Sequence, residues 1–318
     1  MSYNKRKTYG GVFMYNRSFY RTELYPGQIC AHEWIPEGDI TSVLQICHGM
    51  AEYLFRYDSF ASFLCDQGVL VCGIDHPGHG KTEGTRGYFA PKNGWETLCR
   101  INCDYASRIK QRYPDKSFRM LGHSMGSFVA RYIASVYPET ACDYIFMGTA
   151  GKNGAVGVGR VVAGLIRAFR PDSPCPFLTG LAFGSYQREY TAPRTGYDWL
   201  NTDSSEVDKY IADPDCGFDF TASGFCDLFD GIKYIQKDSW AGTLRPEKRY
   251  LLISGTEDPV GGKGEGVKDV YLRMTVANLP HVTLKLYPGA RHEILNEPCG
   301  TDVCSFIHDW IKAKEPKQ

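Results

Sequence analysis

Gly122-His123-Ser124-Met125-Gly126 restricts the fold of this chain more than any other segment. The five residues fit G-x-S-x-G, and their flanks supply the setting that gives the pattern meaning. Phe118 to Leu121, just before, is a short apolar run of strand length. Ser127 to Tyr137, just after, has helical texture and is stopped by Pro138. A strand that passes into a helix through so short a turn brings its flanking positions too close for Cβ atoms, so both are glycine. The turn raises the Ser124 hydroxyl above the strand end. It also sets that hydroxyl at a helix N-terminus, where free N–H groups and the macrodipole favour developing negative charge.

The rest of the chain reads as the same kind of unit repeated. Val43 to Cys47, Val69 to Asp75, Tyr144 to Met147, Arg249 to Ser254 and Val282 to Tyr287 are strands. Val69 to Asp75 is apolar almost throughout, as suits a strand buried on both faces of a parallel sheet. Phe55 to Asp66, Trp95 to Tyr113, Phe220 to Gln236, Val267 to Asn278 and Asp302 to Lys312 read as helices. Phe19 to Tyr25 and Ile29 to Ile35 mix polar and apolar residues and read as an antiparallel pair turning at Pro26-Gly27. Strands alternating with helices imply a mostly parallel, doubly wound α/β sheet. Residues 151–217 break the alternation: they are rich in Gly, Pro, Ser and Asp and hold one apolar stretch, Val161 to Phe169. The expectation is a core of residues 1–150 and 218–318, with 151–217 inserted as a cap.

A serine hydroxyl is a poor nucleophile without a histidine base and an acid that holds the base. On a sheet with this turn the three follow in the order Ser, Asp or Glu, His. The histidines after Ser124 are His281, His292 and His308. His308 lies in the last helix, and His281 precedes a strand, at the wrong edge of the sheet. His292 follows Val282 to Tyr287, at the C-terminal edge where ligands bind in open α/β sheets. The acid then leaves the strand Arg249 to Ser254: Asp258, with Glu257 in reserve. Asp227 and Asp230 fall in a helix and read as solvated. An oxyanion needs two donors. The N–H of Met125 follows the nucleophile, and the N–H of Met50 lies in the loop His48-Gly49-Met50 after Val43 to Cys47.

Other chemistries find no support. Lys plus Arg and Asp plus Glu number 36 each, so no basic footprint for nucleic acid exists. The twelve cysteines form no C-x-x-C and flank no suitably spaced His pair, and no metal is expected. Asp75-His-Pro-Gly-His-Gly80 offers an Asp and two His, but its Gly/Pro turn aims the rings apart. Neither Gly154 to Gly159 nor Gly261 to Gly266 has nucleotide-binding spacing, so no cofactor is expected. The basic N-terminus leads into no signal-peptide core, and no run approaches the ~18 apolar residues of a membrane span. The expected location is the cytoplasm, with free thiols.

These segments add up to a resemblance. The chain resembles the monoacylglycerol lipase and lysophospholipase-like group of α/β-hydrolases, grouped with the serine aminopeptidase-like hydrolases. It does so through HGMAEYLFRYDSFASFL (48–64), GIDHPGHGKTEG (73–84), LGHSMGS (121–127), DPDCGFDFTASG (213–224), LLISGTEDPVG (251–261) and LYPGARHEILNE (286–297). The resemblance implies an α/β-hydrolase fold with an eight-stranded sheet and helices on both faces. It implies the triad Ser124, Asp258 and His292, with Met50 and Met125 at the oxyanion hole. It also implies hydrolysis of monoacylglycerol or lysophospholipid esters without a cofactor. Tyr53 departs from the histidine common after Glu52 in the group. On the cap, Val161, Val162, Leu165, Ile166 and Phe169 form an apolar helix face. That face is expected to line an acyl tunnel, touch a lipid surface or pack on the core. Arg160, Arg167 and Arg170 would meet a head group or water. Small-ester or aminopeptidase-type hydrolysis by the same triad stands as the alternative, and a non-catalytic ligand-binding homologue as a second.

Overall fold

A computed structural model describes residues 3–7, 12–190 and 193–313. Its centre is a run of strands whose side chains alternate between two apolar layers. On β4 (Ser42–Cys47), Leu44 and Ile46 face one layer and Val43 and Cys47 the other. β5 (Val69–Ile74), β6 (Ser117–His123), β7 (Asp143–Met147) and β8 (Tyr250–Gly255) repeat the pattern: Leu121, Ile145, Leu251 and Ile253 go one way and Met120, Phe146 and Leu252 the other. Burial on both faces is why these strands read as continuous apolar runs.

Helices close both layers. α1 (Asp58–Asp66) and α9 (Gly300–Lys312) cover one face, with Phe60, Leu64, Val303 and Ile307 inward. α2 (Gly94–Arg112), α3 (Met125–Val136), α7 (Ala222–Ile235) and α8 (Glu265–Val276) cover the other. β9 (Val282–Tyr287) completes the parallel part, which runs β5-β4-β6-β7-β8-β9.

The sheet has nine strands, one more than the expected eight. β2 (Val12–Thr22) and β3 (Tyr25–Pro36) form the antiparallel hairpin, and β1 (Tyr3–Lys7) adds an edge to β2. The YNKRK of β1 carries no apolar alternation, and an edge strand paired on one side needs none. The hairpin turns at Glu23-Leu24, not at Pro26-Gly27. Pro26 and Gly27 fall where the register shifts between Tyr20 and Thr22, and a bulge suits a residue with no N–H to donate.

Chain order reverses about β4: β5 lies on one side of it and β6 on the other. Such a reversal opens a crevice at the C-terminal strand ends. The stretch between β7 and β8 holds α4 (Ala155–Arg167), α5 (Pro176–Phe183) and α6 (Ser204–Ala212) before α7. Among the described residues no helix is long and apolar enough to cross a membrane.

Candidate active site

The turn from β6 to α3 is as tight as the glycines demand. A Cβ at Gly122 would lie 2.1 Å from the Gly126 carbonyl oxygen, and one at Gly126 would lie 1.9 Å from that of Cys47. Ser124, between them, sits at φ 54° and ψ −122°, a strained conformation for a residue with a side chain. Hydrogen bonds hold it there: its N–H donates to the Met147 carbonyl at 3.0 Å, and its own carbonyl accepts from Ser127 N–H at 2.9 Å and Ser127 Oγ at 2.6 Å.

Two clefts meet at this serine. The smaller, about 290 Å³, is lined by Ser124, His292, Met50 and the aromatic rings of Phe183, Trp199 and Tyr210. The larger, about 610 Å³, runs from Ser124 and Met125 past Phe128, Phe229 and Val260. Among the described residues neither Met50 N–H nor Met125 N–H has an acceptor, and both residues border a cleft that Ser124 also lines.

His292 and Asp258 come from neighbouring strand ends. Asp258 follows β8 and is fully buried; its Oδ1 accepts from His292 Nδ1 at 2.9 Å. Ser254 Oγ donates to Asp258 Oδ2 at 3.0 Å and Val260 N–H to Oδ1 at 2.9 Å. Burial raises this carboxyl, but His292 and those donors outweigh it and hold the pKa below the usual value. Nδ1 of His292 is thus committed to Asp258, and the residue lines the same cleft as Ser124. Glu257, the reserve, faces Lys263 at 3.7 Å on the surface instead.

A second polar network backs the first, and the sequence reading missed it. Glu52 Oε1 accepts from Gly49 N–H at 2.5 Å and from Tyr57 Oη at 2.8 Å, and Arg56 bridges Glu52 and Glu293. The His123 ring lies 4.7 Å from that of His292, tilted by 39°, and donates from Nε2 to the His292 carbonyl at 3.2 Å. Its Nδ1 faces Tyr57 Oη at 2.9 Å and Glu52 at 3.3 Å. Burial lowers the pKa of this ring, but Glu52 outweighs burial and the net direction is up. Glu52 and His123 lie inside the HGMAE and GHSMG segments, but no spacing rule pairs them.

Of the settings expected for the apolar helix face, the structure shows core packing and an exposed surface, not a cleft lining. None of Val162, Leu165, Ile166 and Phe169 lines either cleft. Val162 and Ile166 are partly buried against the core, and Leu165 and Phe169 are 65% and 87% exposed. The cause is packing: α4 turns Val156, Gly159 and Ala163 inward and stacks along α7, so its remaining apolar positions face out. α5, α6 and the loop carrying Trp199 supply the cleft wall. Asp227 departs from expectation. It is buried against the start of α2, and burial pushes its pKa up to about 7.

A strained serine at a helix start, a carboxylate-held imidazole and two free N–H donors at one crevice are the parts of a serine hydrolase on an α/β-hydrolase sheet. The chain belongs to the serine aminopeptidase S33 family, whose model matches residues 38–299. It is similar to the monoglyceride lipase of Mus musculus, 26% identical over 284 residues, covering 87% of this chain and 84% of that one. It is similar to the monoacylglycerol lipase of Mycolicibacterium smegmatis, 26% identical over 285 residues, covering 87% and 90%. Among solved structures, a thermostable carboxyl esterase from Bacillus coagulans in complex with glycerol superposes with a TM-score of 0.88 at 26% identity, covering 94% of this chain and 98% of that one.

Proposed function

We propose that this chain is a serine carboxylic-ester hydrolase that cleaves esters of single fatty-acyl chains, such as monoacylglycerol or lysophospholipid, through an acyl-enzyme on Ser124. Ser124 Oγ attacks the carbonyl carbon while His292 takes its proton, and Asp258 steadies the imidazolium. The Met50 and Met125 N–H groups receive the oxyanion. His292 returns the proton to the leaving alcohol, and a water activated by the same ring then frees the acid. The observation that carries this reading is the position of Ser124 where two clefts meet, one of them also lined by His292. An ester with an arm on each side of its carbonyl fits that arrangement. The larger, mainly apolar cleft suits the acyl chain.

In this reading residues 151–217 form the cap, and the exposed apolar side chains of α4 and α5 meet the lipid surface from which substrate comes. Val158, Val161 and Leu165 on α4, Phe169 just past its end, and Phe177 and Leu181 on α5 are each more than half exposed. The cysteines form no disulfide among the described residues, in keeping with a reducing, cytoplasmic setting.

The test is a rate panel: glycerol monoesters graded by acyl length, a lysophospholipid, short soluble esters and aminoacyl amides. Rates on monoesters are expected to rise with chain length, and Ser124→Ala to cost about 10⁴–10⁶ in kcat. Labelling by a fluorophosphonate probe should vanish with the hydroxyl. Near-normal turnover by Ser124→Ala overturns the mechanism, and a preference for aminoacyl amides overturns the lipid assignment.

A further inference from the structure

Away from Ser124, the structure gathers three ligand-type side chains, none of which lines either cleft at that serine. Cys30 and His32 lie on β3, and Asp75 follows β5, the strand paired with it. All three are at most 1% exposed. Cys30 Sγ lies 3.4 Å from His32 Nε2, and His32 Nε2 lies 3.3 Å from Asp75 Oδ1. The three ligand atoms all fall within 4.8 Å of one another.

We propose that Cys30, His32 and Asp75 form a binding site for one divalent zinc-like ion. Tetrahedral zinc, with Zn–S about 2.3 Å and Zn–N and Zn–O about 2.0–2.2 Å, sets its S···N and N···O edges at about 3.6 and 3.4 Å. The observed edges are 3.4 and 3.3 Å. The donor set of one sulfur, one imidazole nitrogen and one carboxylate oxygen suits a borderline-soft ion. Charge also balances. On binding, the Cys30 S–H gives its proton to solvent, and thiolate plus carboxylate neutralise the ion while His32 stays neutral. A buried site tolerates a neutral cluster far better than a net charge.

The surroundings complete the geometry. His32 Nδ1 is 2.8 Å from Tyr15 Oη, so the ring can present Nε2 to the ion while Nδ1–H donates to the phenol. Asp75 is oriented by Leu54 N–H on Oδ1 at 3.0 Å and Lys81 N–H on Oδ2 at 2.9 Å. His32 also lines a groove of about 690 Å³ together with Tyr15, Arg17 and Phe55, which gives an ion a way in and a water the fourth position. The segment Asp75 to Gly80 thus supplies a ligand with partners other than its own histidines. His76 and His79 turn instead toward His48, with ring centroids 4.0 and 5.2 Å away. Hydrogen bonds alone would hold the same three groups with the Cys30 proton in place, so the thiolate is where the two readings part.

The test is cobalt(II) added to the reduced, chelator-treated full chain. One ion per chain should bind with a thiolate-to-cobalt charge-transfer band in the near ultraviolet, and zinc(II) should displace it. Cys30→Ser should remove the band while circular dichroism stays that of the folded chain. Absence of the band, or a band of full height in Cys30→Ser drawn from the other thiols, overturns the proposal. Zinc-edge X-ray absorption on the unmutated protein decides the matter if the variant does not fold. One sulfur at about 2.3 Å among nitrogen and oxygen neighbours supports the site; none, or two or more, overturns it. None of these readouts uses ester hydrolysis, so the site and the activity stand or fall separately.

Discussion

Asp258 has two tasks that separate by experiment. It fixes which nitrogen of His292 carries the proton, through the 2.9 Å contact to Nδ1. It also brings a buried charge whose pKa is held down by His292, Ser254 and Val260 against the pull of burial. Asp258→Asn keeps the shape but turns an acceptor toward Ser254 into a possible donor and lets the imidazole settle in the wrong tautomer. By analogy with the same change in serine proteases, kcat should fall about 10⁴-fold with KM little changed. A steady-state comparison on a soluble ester checks it, and a loss below tenfold counts against the assignment. The sign of the pH effect follows from the depressed pKa: the stabilising charge is present above the unfolded carboxyl value and lost as pH falls through the folded one. Ser124, Asp258 and His292 were legible because each leaves a strand end whose place in the sheet the apolar runs reveal. Glu52 and His123 were not, because nothing in their spacing tells that one ring bridges Glu52 and the His292 backbone.

At the scale of elements, legibility followed burial. β4 to β8 and the helices over them are legible because each strand face meets a continuous apolar layer. α4 is legible too, yet its sequence alone leaves open whether the apolar face meets a tunnel, a lipid surface or the core. One helix has apolar residues on two sides: Val156, Gly159 and Ala163 pack inward, and Val158, Val161 and Leu165, with Phe169 just past the helix end, stand out. Sequence gives the angle between those sides but not which one α7 takes. The outer stripe is expected to act on lipid substrate alone. Replacing Leu165 and Phe169 together by serine should lower the rate on vesicle-borne monoacylglycerol several-fold. The rate on a short soluble ester should stay within twofold, since neither side chain lines a cleft. Vesicle flotation of the inactive Ser124→Ala chain, with and without the double change, reads binding directly. An equal loss on both substrates would mean that the stripe supports the cap and not a surface contact.

Over the whole molecule, the crevice edge of the sheet holds the chemistry and the opposite edge holds a charge cluster that ties distant parts together. Asp143 and Arg119 are register partners on β7 and β6, joined at 2.9 Å. Arg249, just before β8, reaches the same carboxylate from Nη2 at 2.7 Å. Its Nη1 donates to the Trp310 and Ala313 carbonyls at 3.0 and 2.9 Å, which docks the end of α9. All three side chains are buried. Burial raises the Asp143 carboxyl, but Arg249 and Arg119 outweigh it and hold its pKa down. A buried pair adds little over a well-packed apolar substitute, but removing one member strands the other charges. Asp143→Ala leaves two buried guanidiniums without their carboxylate and should cost about 3–5 kcal/mol in denaturant unfolding. The folded fraction should keep its kcat/KM, because the change lies at the far edge from Ser124. The depressed pKa fixes the acid behaviour: the contribution of Asp143 is whole above the unfolded carboxyl value of about 3.9 and is lost as pH falls below it. The variant should therefore show a flatter loss of stability through that acid range than the unmutated chain. A parallel fall in kcat/KM at full folding would instead place the cluster in communication with the crevice.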